Sequence, residues 1–146
     1  MKPPHPFRRL LCVEDDPSMR ASLGRLLSRH YDTTEVGSAE AALDELSKGP
    51  FDGLLTDFDL PGLSGVELCD YVRRRHPEVW CVVLTGAAPE RLPPHEFTVL
   101  TKPVSAIRLF AELEREAESW ARHDPHDQLE QGESLNPGGS RAGAVS

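Results

Sequence analysis

What this sequence lacks narrows its identity before any motif is read. No apolar run approaches the roughly 18 residues needed to cross a bilayer, so no membrane span is expected. The start, MKPPHPFRR, is basic and proline-rich, but the apolar stretch after it (Leu10 to Val13) is too short for a signal-peptide core. A cytoplasmic location is expected. Positive charge is scarce: 16 Lys and Arg face 24 Asp and Glu, for a net charge of −8. A nucleic-acid partner is not expected, because neutralising phosphates needs a basic face. The one basic cluster, Arg73-Arg74-Arg75, reads as the complement of a helix C-terminus. The three cysteines, Cys12, Cys69 and Cys81, sit in apolar contexts with no C-x-x-C spacing, which predicts buried free thiols and no zinc site. At 146 residues, there is length for one compact core but not for two ordinary domains.

What is present is an alternation of short apolar runs with amphipathic stretches, the pattern of a parallel sheet with crossover helices. Leu10-Leu11-Cys12-Val13 shows no polar alternation, as expected of a strand buried on both faces. Pro17 suits a first helical turn, and Met19, Leu23, Leu26 and Leu27 recur at helical spacing until about His30. Thr33 to Val36 predicts a weak edge strand. Ser38 caps a second helix with Ala41, Ala42, Leu43 and Leu46 as its apolar side, ended by Gly49-Pro50. Gly53 to Thr56 predicts a third strand that delivers Asp57 at its end. The turn-rich loop Asp59 to Gly65 leads to a helix carrying Val66, Leu68, Cys69 and Val72, stopped by Pro77. Trp80 to Leu84 and Thr98 to Leu100 predict the last strands. Ser105 caps a final helix with the stripe Ile107, Phe110, Leu113, Ala117 and Trp120.

One unit is damaged. Between Leu84 and Thr98, the segment Gly86 to His95 holds three prolines, each costing about 3 kcal/mol inside a helix. A single turn or an irregular loop is expected there. From about Asp124 the composition turns to Gly, Ser, Asp, Glu and Pro, which predicts a disordered tail. The reading divides the chain into an extension (1–6), one domain (7–122) and the tail (123–146). His123-Asp124-Pro125-His126 falls in that tail and is not read as a metal site.

Polar groups gather where parallel sheets bind ligands, at the carboxyl ends of strands. Glu14-Asp15-Asp16 follows the first strand, Asp57 the third, Thr85 the fourth and Lys102 the fifth. Each has a plain explanation alone: helix cap, turn former, loop hydroxyl or solvated charge. Together on one rim they point to a site. Two carboxylates about 4 Å apart repel by roughly 4 kcal/mol at an effective dielectric of 20, so three in one pocket call for a cation. Hard oxygen ligands favour Mg²⁺, with Mn²⁺ as a substitute. Asp57 could then attack an activated phosphorus to give an acyl phosphate.

Four segments carry a family resemblance: Leu10 to Pro17, Leu54 to Gly62, Val82 to Gly86, and Thr101-Lys102-Pro103. Over about residues 7–122 the chain resembles the receiver domain of two-component response regulators, of the single-domain type. The resemblance implies a flavodoxin-like doubly wound α/β fold with five parallel strands in the order 2-1-3-4-5. It implies Asp57 as phosphoacceptor and Thr85 as switch hydroxyl, with Lys102 as the phosphate-binding lysine. The implied metal ligands are Asp15, Glu14 (often through water), Asp57 and the backbone carbonyl of Asp59. Asp16 is assigned to capping, and Lys102–Pro103 is expected to be cis. The implied donor is a histidine kinase or phosphotransfer protein, and the receiver catalyses only its own phosphorylation and dephosphorylation. Partner binding would then switch through the side built from the fourth helix, fifth strand and fifth helix.

Two departures touch the readout: Val99 stands at a position the family usually fills with an aromatic residue, and the fourth helix is proline-broken. Asp59 and Ala87, flanking the phosphoryl site, are expected to tune its lifetime. No DNA-binding output motif is recognised, so the chain is expected to act by binding a protein partner, by passing the phosphoryl group on, or as the detached receiver of a larger kinase, as a monomer or weak dimer. Two rivals remain at this point. A receiver-like scaffold without phosphorylation would normally lose a site residue, and none is lost. A haloacid-dehalogenase-type phosphohydrolase would explain Asp57-Phe58-Asp59 but not Pro61 or Glu14-Asp15.

Overall fold

The computed structural model describes residues 8–86 and 97–122. Among the described residues, nine elements follow one another: β1 (Arg8–Val13), α1 (Pro17–Leu27), β2 (Tyr31–Val36), α2 (Ala39–Lys48), β3 (Gly53–Asp57), α3 (Gly65–Arg75), β4 (Trp80–Thr85), β5 (Thr98–Thr101) and α4 (Ala106–Ala121). The strands form one parallel sheet in the order β2-β1-β3-β4-β5, the doubly wound order expected. The damaged unit, the N-terminal extension and the tail with His123 and His126 fall largely on residues 1–7, 87–96 and 123–146, outside the described residues.

Strand alternation divides the core. Leu11, Val13 and Leu54 point to one face, where α2 and α3 supply Ala42, Leu46, Leu68, Cys69 and Val72. Leu10, Cys12 and Leu55 point to the other, under Leu27 of α1 and Leu109, Leu113 and Ala117 of α4. The central strands β3 and β4 are buried throughout, whereas edge strand β2 exposes Asp32 and Glu35. Charges on an edge strand discourage pairing with another sheet. All three cysteines are free and buried. Burial, then the charges of Glu35 and Glu14, pushes the Cys12 thiol up to about 12.

Each helix begins at a side-chain cap. Asp16 accepts from the Met19 amide at 2.7 Å, Ser38 from Ala41 at 3.1 Å and Ser105 from Arg108 at 3.1 Å. Ser64 and Glu67 form a reciprocal capping box. Arg73, Arg74 and Arg75 fill the last turn of α3 as expected, and they are engaged locally. Arg73 lies over Phe97, Arg75 lies over Tyr71, and Arg74 pairs with Asp70 at 2.7 Å.

Two stripe residues are misplaced by periodicity alone. Ile107 is 84% exposed, and Leu109 takes its place in the buried line with Leu113 and Ala117. At about 100° per residue, six residues put Ile107 roughly 120° around the helix from Leu113. Met19, in the first turn of α1, is 44% exposed because it lies at the rim of the sheet, beyond the depth reached by Leu27. None of the described helices is long and apolar enough to cross a membrane.

Gly53 opens β3 because Trp80, its partner on β4, lays its indole across the position where a side chain would stand. A Cβ there would overlap the six-membered ring, and Trp80 is itself buried. Gly53→Ala is expected to destabilise the fold by about 1–3 kcal/mol through overpacking. Chemical denaturation should show this as a lower midpoint with an unchanged slope; an unchanged midpoint would mean that the ring moves aside freely.

Candidate functional site

The parallel register brings the carboxyl ends of the central strands to one rim. Val13 pairs with Thr56, Asp57 with Leu84, and Thr85 with Thr101. The residues that follow β1 therefore arrive beside the end of β3, and Lys102, which follows β5, arrives beside the end of β4. Further bonds hold the rim: the Phe58 amide donates to the Leu84 carbonyl, and the Lys102 amide to the Thr85 carbonyl, each at 2.7 Å. Lys102–Pro103 is cis, as expected. On the opposite flank, the Glu14 amide donates to the Val36 carbonyl at 3.0 Å.

Of the residues singled out in the sequence, Glu14, Asp15 and Asp57 come together, each offering an oxygen within 4.8 Å of the others. Lys102 Nζ lies 2.6 Å from Asp57 Oδ1 and 3.8 Å from Glu14 Oε1. Thr85 ends the neighbouring strand with its side chain buried. Asp59 is exposed and stands outside the three-carboxylate group, though its charge is felt by Asp57 and Lys102. Asp16 is a helix cap, as assigned. Val99 is half-buried against the α2/α3-side core, and Ala87 lies outside the described residues.

Burial sets the electrostatics. It raises Asp57 above the ordinary carboxylate range, opposed by the hydrogen bond and charge of Lys102 and reinforced by the charges of Asp59 and Asp15. It raises Glu14 as well, opposed by the Asp16 amide and Lys102. For Lys102 burial pulls downward, but the bond to Asp57 and the charges of Asp57, Glu14 and Asp59 win, and its ammonium is held above its usual range. Glu14 is divided between its two oxygens. Oε2 accepts from the Asp16 amide at 3.1 Å, while Oε1 is buried with no hydrogen-bond partner. A buried carboxylate oxygen left in this way is costly by about 1–3 kcal/mol or more. A hard cation among three carboxylates would remove that cost, so the donor set fits Mg²⁺ or Mn²⁺.

Sequence reading missed the supports of this site. A Cβ on Gly65 would run into the Asp57 carbonyl and the Phe58 backbone, so only glycine lets α3 start this close to the strand end. Arg20 donates from Nη1 to the Glu14 carbonyl at 2.9 Å. The glycine after Ser64 was visible as a turn residue; Arg20 looked like any helix-surface charge.

Comparison with known proteins agrees with this arrangement. Residues 10–114 match the family described as the response regulator receiver domain. The chain is 32% identical over 115 residues to the response regulator receiver protein CpdR of Brucella abortus, covering 75% of this chain and 96% of that protein. It is 35% identical over 108 residues to the response regulator protein PilR of Pseudomonas aeruginosa, covering 70% of this chain but 24% of PilR. Against the transcriptional regulatory protein TcrA of Mycobacterium tuberculosis the identity is 35%, covering 72% of this chain and 44% of TcrA. The chain thus spans under half the length of PilR and TcrA. Among solved structures, the signal receiver domain of an HD domain-containing protein from Pseudomonas fluorescens superposes with a TM-score of 0.74 at 22% identity, covering 80% of this chain and 99% of that one. A sensor protein from Polaromonas does so with a TM-score of 0.70 at 29% identity, covering 79% and 99%. With the strand order, the acidic group and the lysine in place, this chain belongs to the response regulator receiver domain family, whose members act in phosphorelay signalling.

Proposed function

We propose that Asp57 accepts a phosphoryl group from the phosphohistidine of a histidine kinase or phosphotransfer protein, within a domain spanning residues 7–122. The observation that carries this reading is the 2.6 Å pairing of Lys102 with Asp57 beside two further carboxylates at the strand ends. An Asp57 carboxylate oxygen attacks phosphorus, the P–N bond breaks, and the imidazole leaves with the bonding pair. The transfer needs little more from the protein than positioning and charge. Lys102 is poised to neutralise one phosphoryl oxygen and the Thr85 hydroxyl to donate to another. Glu14, Asp15, Asp57 and the Asp59 carbonyl would hold Mg²⁺, with Mn²⁺ as a substitute, and the bound ion supplies positive charge against the phosphoryl oxygens. The raised carboxyls of Asp57 and Glu14 favour such an ion, since it offsets the charge that burial penalises. The outcome of phosphorylation would be altered binding of a protein partner on the side formed by β5 and the last helix.

Asp59 is the residue expected to set the lifetime of the acyl phosphate, because its exposed carboxylate approaches the site without belonging to the acidic group. Asp59→Asn should change the rate at which the acyl phosphate is lost once the phosphodonor is removed; an unchanged rate removes Asp59 from this role.

Incubation with acetyl phosphate and Mg²⁺ should add one phosphoryl group by intact mass, and Asp57→Ala should add none. A wild-type chain that stays unmodified would defeat the reading.

The pH dependence has a definite sign. Asp57 and Glu14 are raised in the folded state, so between their unfolded and folded ranges the native protein holds more protons. The metal-free protein therefore loses part of its stability as pH rises through those ranges. Mg²⁺ at about 100 times its Kd should restore up to about 2.7 kcal/mol. The rise in Tm on adding Mg²⁺ should be small in mild acid and grow toward neutral pH; a pH-independent shift would mean that these carboxylates do not bind the ion.

A further inference from the structure

Arg20 lies one turn into α1 and is half-buried, and its guanidinium turns back to the loop that carries the acidic pair. Nη1 donates to the Glu14 carbonyl at 2.9 Å and reaches the Asp15 carbonyl at 3.5 Å. One cation thus holds two successive carbonyls of the peptide chain that bears both carboxylates, and hydrogen bonds from a charged donor are the stronger kind. The same loop is tied on its other sides. The Glu14 amide donates to the Val36 carbonyl at 3.0 Å, and the Asp16 amide to Glu14 Oε2 at 3.1 Å.

Gly37, directly after β2, explains how the guanidinium fits. A Cβ at this position would stand 2.6 Å from Arg20 Nη1 and 3.9 Å from the Glu14 carbonyl oxygen. The space that a side chain would fill is taken by the charged group. The helix does not need this contact to begin, since Pro17 starts α1 and Asp16 caps it. What the contact does constrain is the direction in which Glu14 and Asp15 leave the backbone.

We propose that Arg20 is a positioning residue for the acidic pair, clamping the Glu14–Asp15 backbone so that both carboxylates face Asp57, with Gly37 leaving room for the clamp. Arg20 acts through the two backbone carbonyls and not through the carboxylate oxygens of Glu14 and Asp15. The consequence for cation binding rests on the metal-site reading above, whereas the clamp itself is a property of the metal-free protein.

Two readouts separate these. Mn²⁺ titration of the full chain by calorimetry should give an affinity about tenfold weaker in Arg20→Met, the usual loss when a group supporting metal ligands is removed. Arg20→Lys should recover part of it, because an ammonium keeps the positive charge and the donor on a shorter side chain with less reach toward the two carbonyls that Nη1 contacts. Gly37→Ala should also weaken binding by displacing Nη1, and the double variant should be no weaker than Arg20→Met alone, since one contact underlies both. In the metal-free protein, the Asp16 amide should exchange its hydrogen about tenfold faster in Arg20→Met, as the loop opens more readily. Unchanged Mn²⁺ affinity and unchanged Asp16 exchange in a folded Arg20→Met protein, or additive losses in the double variant, would overturn the proposal. If wild type binds no Mn²⁺, the metal-site reading falls, while faster Asp16 exchange in the variant still supports the clamp. Should Arg20→Met fail to fold, Arg20→Lys and Gly37→Ala carry the same comparison.

Discussion

Carboxylates withdrawn from water must be compensated, and the rim of this sheet is organised around that requirement. Asp57 is 7% exposed and Glu14 3%, and their oxygens share a pocket with Asp15. One lysine compensates part of the charge: Lys102 bonds to Asp57 and stands near Glu14, but Glu14 Oε1 still lacks a hydrogen-bond partner. The pocket is therefore under-compensated as it stands. A site with spare negative charge and one cationic arm is suited to a metal ion and to phosphoryl oxygens, each of which alters the balance.

The fold supplies this arrangement through register. Because β1, β3 and β4 are adjacent and parallel, their carboxyl ends open at one level, and the chain leaving each end carries a polar group to the same place. Glycines let the backbones come close enough. Gly65 admits the start of α3 beside Asp57, Gly53 admits the Trp80 ring over β3, and Gly37 admits the Arg20 guanidinium. Each of these is a packing solution, and none has a signature beyond a glycine in a turn or strand.

Much of this was legible in the sequence. The five strand runs and the caps at Asp16, Ser38 and Ser105 could be read from local residue chemistry, the cis bond at Lys102–Pro103 followed from the family resemblance, and the Ser64 cap emerged only in the structure. Periodicity was less reliable at helix ends. Met19 had the right spacing, but the first turn of α1 lies at the rim, where there is less sheet to cover it, whereas Ile107 lies off the buried line of α4. Burial depends on position along the neighbouring sheet as well as on angle around the helix, and only the angle is written in the spacing of apolar residues.

The sequence by itself determined which chemistry is available: acidic residues after one apolar run, an aspartate after another, a hydroxyl and a lysine after two more. Those identities are local, and short apolar runs bounded by turn residues are enough to put each at a strand end. Only the tertiary structure decided how the charges share the work. It made Glu14 the buried carboxylate and Asp15 the exposed one, left Asp59 outside the acidic group, and turned Arg20 from a helix-surface charge into a backbone clamp. Burial and hydrogen-bond partnership arise between segments distant in the chain, so no spacing within one segment specifies them.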